Sequence, residues 1–278
     1  MSPSWRDQLR IFLAPHQASL VRIRRGWSPR VDVQRTLACT AVVPSATTPW
    51  QATLATLATA LPEFSSRPGD VQVILSNHFV RYALIPDSDQ INSAAEEQAL
   101  VRHHYTRLYG GNAENWVLRL SDPGVDAGPR LASAVDAGLL QGLNEVFRSG
   151  KLTLCSIQPN LMAAFNDLRA QLATHTWFAL VEPGRLCLAR FEHSQWRALK
   201  TIKIGATWLP DLLTLLGRER LLAGIDTTAD NAPVYVYAPG CSEITPAQAK
   251  EHTLLLLPLA AATDTDSGRT CLAEEATG

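Results

Sequence analysis

Ile11-Phe-Leu-Ala-Pro-His-Gln-Ala-Ser-Leu-Val-Arg-Ile23 and Ala179-Leu-Val-Glu-Pro-Gly-Arg-Leu-Cys-Leu-Ala-Arg190 are two apolar stretches, each interrupted by a proline-led turn. Both read as β-hairpins. Each is followed by a second turn, Gly26-Trp27-Ser28-Pro29 in one case and His193-Ser194 in the other. A third strand comes next: Val31, Val33 and Arg35 alternate up to about Cys39, and Trp196 to Ile204 matches them in the second half. A helix and a short apolar strand then follow in both halves. In the first, Trp50, Leu54, Leu57 and Leu61 recur at helical spacing before Val71–Leu75; in the second, Trp208, Leu212, Leu213, Leu215 and Leu216 precede Pro233–Tyr237. The identity between the halves is thin. The shared order of elements is what predicts one unit used twice.

Between the halves the pattern changes. Phe79 to Ile85 reads as a strand closed by Pro86, and Ser93-Ala-Ala-Glu96 has the form of a capping box, in which hydroxyl and carboxylate satisfy the first free amides of a helix. Ala94, Val101, Tyr105 and Leu108 are expected on one face of that helix, with Gly110-Gly111 as its stop. Strands at Trp116–Leu120 and Arg130–Val135 follow. A helix from Asp136 then carries Leu139, Leu140, Leu143, Val146 and Phe147 as a wide apolar stripe. Leu152–Ile157 is a strand, and Pro159-Asn160 opens a helix with Leu161, Ala164, Phe165, Leu168 and Leu172 on one side. The expected organisation is a first lobe over 1–173 with an inserted α/β subdomain at about 77–150, and a second lobe over 174–262. Leu254–Leu259 would add a final strand, and the polar, acidic stretch 263–278 is expected to be a disordered tail.

Composition narrows the function classes. The chain has 278 residues, enough for two modest cores, and its 46% hydrophobic and 18% charged residues are those of a globular protein. A formal net charge of -1 supplies no global field to gather nucleic acid or an anionic membrane. The five cysteines form no C-x-x-C pair and read as reduced thiols. Met1–Arg10 does not read as a signal peptide, and Leu254–Ala262 is about half the length of a membrane helix, so the expectation is a cytoplasmic protein. No Walker loop, Rossmann fingerprint or nucleophile elbow occurs. His103-His104 are adjacent on a helix and point about 100° apart, which does not clasp one metal ion. Arg22, Arg24, Arg25 and Arg30 would gather positive charge beside the first turn, or form an ordinary polar strand face.

The run Leu75-Ser-Asn-His-Phe-Val-Arg-Tyr82 to Ile85-Pro86, the Glu96/Glu97 helix ending at Tyr109-Gly110, Leu131-Ala-Ser-Ala-Val-Asp136 and Ser156-Ile-Gln-Pro159 resemble the PilM, MshI and GspL group of actin-like proteins. The resemblance covers roughly 70–170, with the flanking meanders agreeing in pattern. It implies an actin-like fold, a duplicated ribonuclease-H-like unit with an inserted subdomain in the first lobe. The implied role is a cytoplasmic scaffold in a type IV pilus or type II secretion machine, contacting an assembly ATPase or the cytoplasmic tail of a membrane partner.

An active site of that superfamily needs two acidic, glycine-bearing turns whose amides surround phosphate and whose carboxylates position metal and water. The first turn, Leu13-Ala-Pro-His-Gln-Ala-Ser19, has no Asp, Glu or Gly, and Pro15 brings no N–H. The second, Val181-Glu-Pro-Gly-Arg185, keeps one acid. Glu182 is therefore the catalytic candidate; its alternative is a solvated hairpin acid. Ala14, His16, Gln17, Ser19, Gly184 and Gly240 are the positions that would line a degenerate nucleotide cleft. Arg81, Tyr82 and Arg102 are candidate partner contacts, since exposed arginine and tyrosine are favoured at interfaces. The expectation is a protein without a metal or other cofactor. The alternative is a divergent ATPase or small-molecule kinase taking ATP and Mg²⁺, and nucleic-acid binding through the Arg22–Arg35 strip is a third reading.

Overall fold

The structure is a computed structural model and describes residues 6–26, 30–39, 48–87, 93–122, 128–148, 150–193, 195–225, 231–241 and 244–257. Trp27-Ser28-Pro29, Ser194 and everything from Pro258 onward, the expected tail included, lie outside the described residues.

The chain begins with β1 (Asp7–Ala14), β2 (Gln17–Arg24), β3 (Arg30–Ala38), α1 (Pro49–Phe64) and β4 (Gly69–Leu75). Next come β5 (Val80–Ile85), α2 (Ala94–Tyr109), β6 (Trp116–Leu120) and β7 (Arg130–Asp136). α3 (Ala137–Arg148), β8 (Leu152–Pro159) and α4 (Asn160–Leu168) lead into the second half. That half contains β9 (His175–Glu182), β10 (Arg185–Glu192), β11 (Gln195–Lys203), α5 (Trp208–Leu222), β12 (Val234–Tyr237), α6 (Pro246–Glu251) and β13 (Leu254–Leu256).

Two five-stranded sheets repeat one plan, in the orders β3-β2-β1-β4-β8 and β11-β10-β9-β12-β13. In each, an antiparallel meander is extended by two strands parallel to its first strand. The match reaches strand length. β1 and β9 have 8 residues, β2 and β10 have 8, and β3 and β11 have 9. The inserted segment makes a third sheet, β5-β7-β6, covered by α2.

Burial explains the elements. β9 is buried along nearly its whole length because helices cover both faces of its sheet, while β1 alternates buried and half-buried residues. α3 follows the inserted sheet in sequence but packs elsewhere: Leu139, Leu143 and Phe147 join Leu54, Leu57 and the faces of β1 and β4 in the first-lobe core. Gly142 permits this contact, since a Cβ there would lie 2.4 Å from Leu54 Cδ1. In α2 the expected apolar face is narrower than the pattern predicts. Val101 and Tyr105 are buried, whereas Ala94 is exposed and Leu108 is 54% exposed, because the small sheet covers only the middle of the helix. Ser93 Oγ accepts from Glu96 N at 3.2 Å, as the capping pattern requires.

α4 joins the two halves. Its Leu161, Ala164, Phe165 and Leu168 pack against Phe178, Leu180, Phe191 and Trp196 of the second sheet, together with Leu131 of the inserted sheet. Phe165 sits in an aromatic cluster, with ring centroids 4.6 Å from Trp196, 5.0 Å from Phe191 and 5.9 Å from Phe178. Such contacts add to the area term of about 2 kcal/mol for a fully buried large side chain. Among the described residues no helix is long and apolar enough to cross a membrane.

Candidate functional site between the lobes

Sheet register brings the candidate residues together. Leu13 of β1 pairs with Leu75 of β4, which pairs with Pro159 of β8. The first turn, the Ser76–Phe79 turn and the start of α4 therefore emerge in one row at the carboxyl ends of parallel strands, where open α/β sheets place their sites. In the second sheet Tyr237 of β12 pairs with Leu180 of β9, so Gly240 leaves the sheet beside Glu182.

Glu182 faces the other lobe. It is 2% exposed and accepts three hydrogen bonds: from the Ser76 hydroxyl on Oε2, from Asn77 N on Oε1 at 3.1 Å and from Asn160 Nδ2 on Oε1 at 2.6 Å. Ser76 and Asn77 are fully buried, and the turn that holds them is itself fixed, with Ser76 N donating to Leu13 O and Phe79 N to Ser76 O. The expectation that an inert Glu182 would be a solvated hairpin acid is thus incorrect. A carboxylate offers about four lone-pair directions, and three of them are spent on protein donors from the opposite lobe.

His78 closes the same seam. Its Nε2 lies 2.9 Å from Pro183 O, and its ring covers Gly184, where a Cβ would come within 3.6 Å of it. Burial holds the imidazole below its ordinary pKa of 6.5, outweighing the hydrogen bond to Pro183, so the ring is neutral near pH 7. Tyr82, half-buried, donates from its hydroxyl to Asn77 Oδ1 at 2.6 Å, and desolvation of that hydroxyl pushes it well above its ordinary value. Cys241 Sγ is pushed up to about 11, chiefly by burial and further by Glu182, and is a thiol rather than a nucleophile at neutral pH.

A cavity of about 400 Å³ opens beside this seam, lined by Glu182, Gly184 and Gly240 with Gly205, Trp208 and Cys241. Gly184 and Gly240 adopt left-handed backbone, with φ of 77° and 72°. The first-turn candidates do not line it. Ala14 O accepts from Thr53 Oγ1 at 3.0 Å, His16 O from Cys39 N at 2.9 Å, and Gln17 Nε2 donates to Ser19 Oγ at 3.1 Å. Arg81 donates to His78 O and Val80 O, and Arg102 to Ala113 O and Trp116 O, so these two arginines hold backbone.

The basic strip is not beside the first turn. Arg22 to Arg25 lie at the far end of β2, roughly 20 Å along the strand from Gln17. Arg22 is buried, paired with Asp7 at 3.0 Å and donating to Phe64 O and Arg67 O; Arg24 pairs with Asp32 at 3.0 Å and Arg35 with Glu63 at 3.5 Å. One cluster escaped sequence reading. His175, Glu192 and His193 bring possible ligand atoms within 4.8 Å of one another, because Glu192 pairs with His175 across the β9–β10 ladder. Both Glu192 oxygens are already engaged, by Arg190 at 3.1 Å and Arg197 at 3.4 Å.

The duplicated five-stranded sheets, the second hairpin turn set against the Ser76–Phe79 turn across a seam and the inserted sheet match the actin-like ATPase fold. No protein-family model matches the chain, and no curated protein matches it in sequence. Among solved structures it is similar to the PilM–PilN type IV pilus biogenesis complex, at 16% identity and a TM-score of 0.61, over 90% of this chain and 88% of that one. It is also similar to the cytoplasmic domain of EpsL, an inner membrane component of the type II secretion system of Vibrio cholerae, at 13% identity and a TM-score of 0.56 over 91% and 90%. A Bacteroides thetaiotaomicron protein of actin-like ATPase fold matches at 11% and 0.56 over 91% of both chains. The resemblance to PilM and GspL proteins therefore holds at the level of the fold.

Proposed function

We propose that this protein is a cytoplasmic scaffold or adaptor of a pilus-biogenesis or type II secretion-like machine and that it does not hydrolyse ATP. The observation that carries the reading is the engagement of Glu182, the one acid in the two hairpin turns, by Ser76, Asn77 and Asn160 of the other lobe. Pro15 and Pro183 remove an amide donor from each turn. The phosphate end of the seam therefore fits Mg²⁺ and a triphosphate poorly. The structural likeness to PilM and EpsL supports the biological setting. Partner contacts have a place to form: β8 is an edge strand, and a groove of about 450 Å³ runs between it and the inserted sheet, walled by Leu154, Ile157, Val117 and Val135. An extended tail adding to that edge is the contact we expect.

The second reading, a divergent ATP-binding enzyme, draws on the cavity of about 400 Å³ beside Gly184 and Gly240. Phosphate release from Mg·ATP separates the two. The scaffold reading predicts no release above the no-protein background. Turnover that disappears in Glu182→Gln would overturn it and favour the enzyme.

A further inference from the structure

A second groove, of about 610 Å³, runs between the inserted sheet and the second lobe. Its two walls are sheet edges. β5 is hydrogen-bonded to β7 alone, and β11 to β10 alone, among the described strands, and residues 80–84 of one and 197–201 of the other line the groove in unbroken runs. The two edges approach one another, and Tyr82 and Leu84 of β5 pack with Leu199 of β11 into one core, so an incoming segment would lie across the mouth of the groove rather than pair between the strands.

The groove is basic although the chain as a whole is close to neutral. Arg81, Arg185, Arg197 and Lys200 line it, and no lining residue is an aspartate or glutamate. Arg197 is offset by Glu192 at 3.4 Å. The other three cations are not paired with an acid inside the groove: Arg81 holds backbone carbonyls, Arg185 Nε is buried with no hydrogen-bond partner, and Lys200 is exposed. Burial, and after it the charge of Arg81, lowers the Arg185 guanidinium from its ordinary value, while nearby Glu182 opposes them. At the mouth, Leu108 and Tyr109 are 54% and 36% exposed, the residues that the narrow face of α2 leaves uncovered.

We propose that this groove docks an acidic, extended segment of a partner protein, with carboxylates against Arg185 and Lys200 and an apolar side chain against Leu108 and Tyr109. The proposal rests on the scaffold reading and names the chemistry of one partner. The exposed Leu108 and Tyr109 beside the cations favour a peptide with both acidic and apolar side chains over nucleic acid. A guanidinium and an exposed ammonium on one wall suit carboxylates.

The test is fluorescence anisotropy with a labelled peptide of about ten residues alternating Glu and Leu, its Lys-for-Glu counterpart, and a labelled oligothymidylate. The acidic peptide is expected to bind saturably and to weaken at least tenfold in Lys200→Glu, an exposed position whose fold is checked by circular dichroism. Arg35→Glu, an equal charge change on distant β3, should leave binding unchanged. Equal binding of the basic peptide, no binding of the acidic one, or no effect of Lys200→Glu would overturn the proposal. So would tighter binding of the oligonucleotide with the same sensitivity to Lys200→Glu. ATP turnover together with acidic-peptide binding would overturn the scaffold reading alone.

Discussion

Ala14-Pro15-His16-Gln17 and Glu182-Pro183-Gly184-Arg185 occupy the same place in two hairpins, between strands of equal length and register, although Gly184 is left-handed and His16 is not. Ala14 stands where the second hairpin has Glu182. The two turns engage their polar groups differently. In the first, no acid is present and the carbonyls of Ala14 and His16 accept from Thr53 and Cys39, which fixes the hairpin to its own lobe. In the second the acid survives but points into the seam, where it gathers donors from the other lobe. The presence of an acid in a turn does not by itself provide a catalytic group. What decides is which atoms occupy its lone pairs.

The comparison can be broken or sharpened experimentally. The largest effect is expected from Phe165→Ala, which empties the apolar half of the seam and should cost about 4 kcal/mol of stability by urea unfolding. Glu182→Leu comes next. It leaves the Ser76 hydroxyl, Asn77 N–H and Asn160 amide buried without an acceptor, a loss of about 3 kcal/mol by the same measurement. The matching change in the first hairpin, Ala14→Leu, falls at a half-buried site with no polar side chain to strand and should cost about 0.5 kcal/mol or less. Equal losses at the two positions would erase the distinction drawn here.

The smallest effect concerns pH. Because His78 has a lowered pKa in the folded protein, the unfolded chain takes up a proton first as the pH falls through 6.5. Stability from this group is present above 6.5 and is lost as the pH falls from there toward the lower folded value. Thermal unfolding between pH 7.5 and 5.5 should therefore show a shallower decline in His78→Gln than in the parent.

The architecture was legible in the sequence because the repeated order of meander, helix and apolar strand is a local pattern, visible in Ile11–Ile23 and Ala179–Arg190. The fate of Glu182 was not. Its partners lie 22, 105 and 106 residues away in sequence, and only the alignment of Leu13, Leu75 and Pro159 across three parallel strands brings Ser76, Asn77 and Asn160 to one row. Leu108 shows the converse error. Helical periodicity places it on the apolar face of α2, but periodicity does not know how far the underlying sheet extends. Arg22 likewise reads as a surface charge until Asp7 and the carbonyls after α1 enclose it.

The claim that Glu182 is a bond between lobes is tested most directly by a double-mutant cycle on Glu182→Gln and Asn160→Ala, read by urea unfolding. The account predicts a coupling of about 1–2 kcal/mol between the two positions. Additivity to within about 0.5 kcal/mol would contradict it.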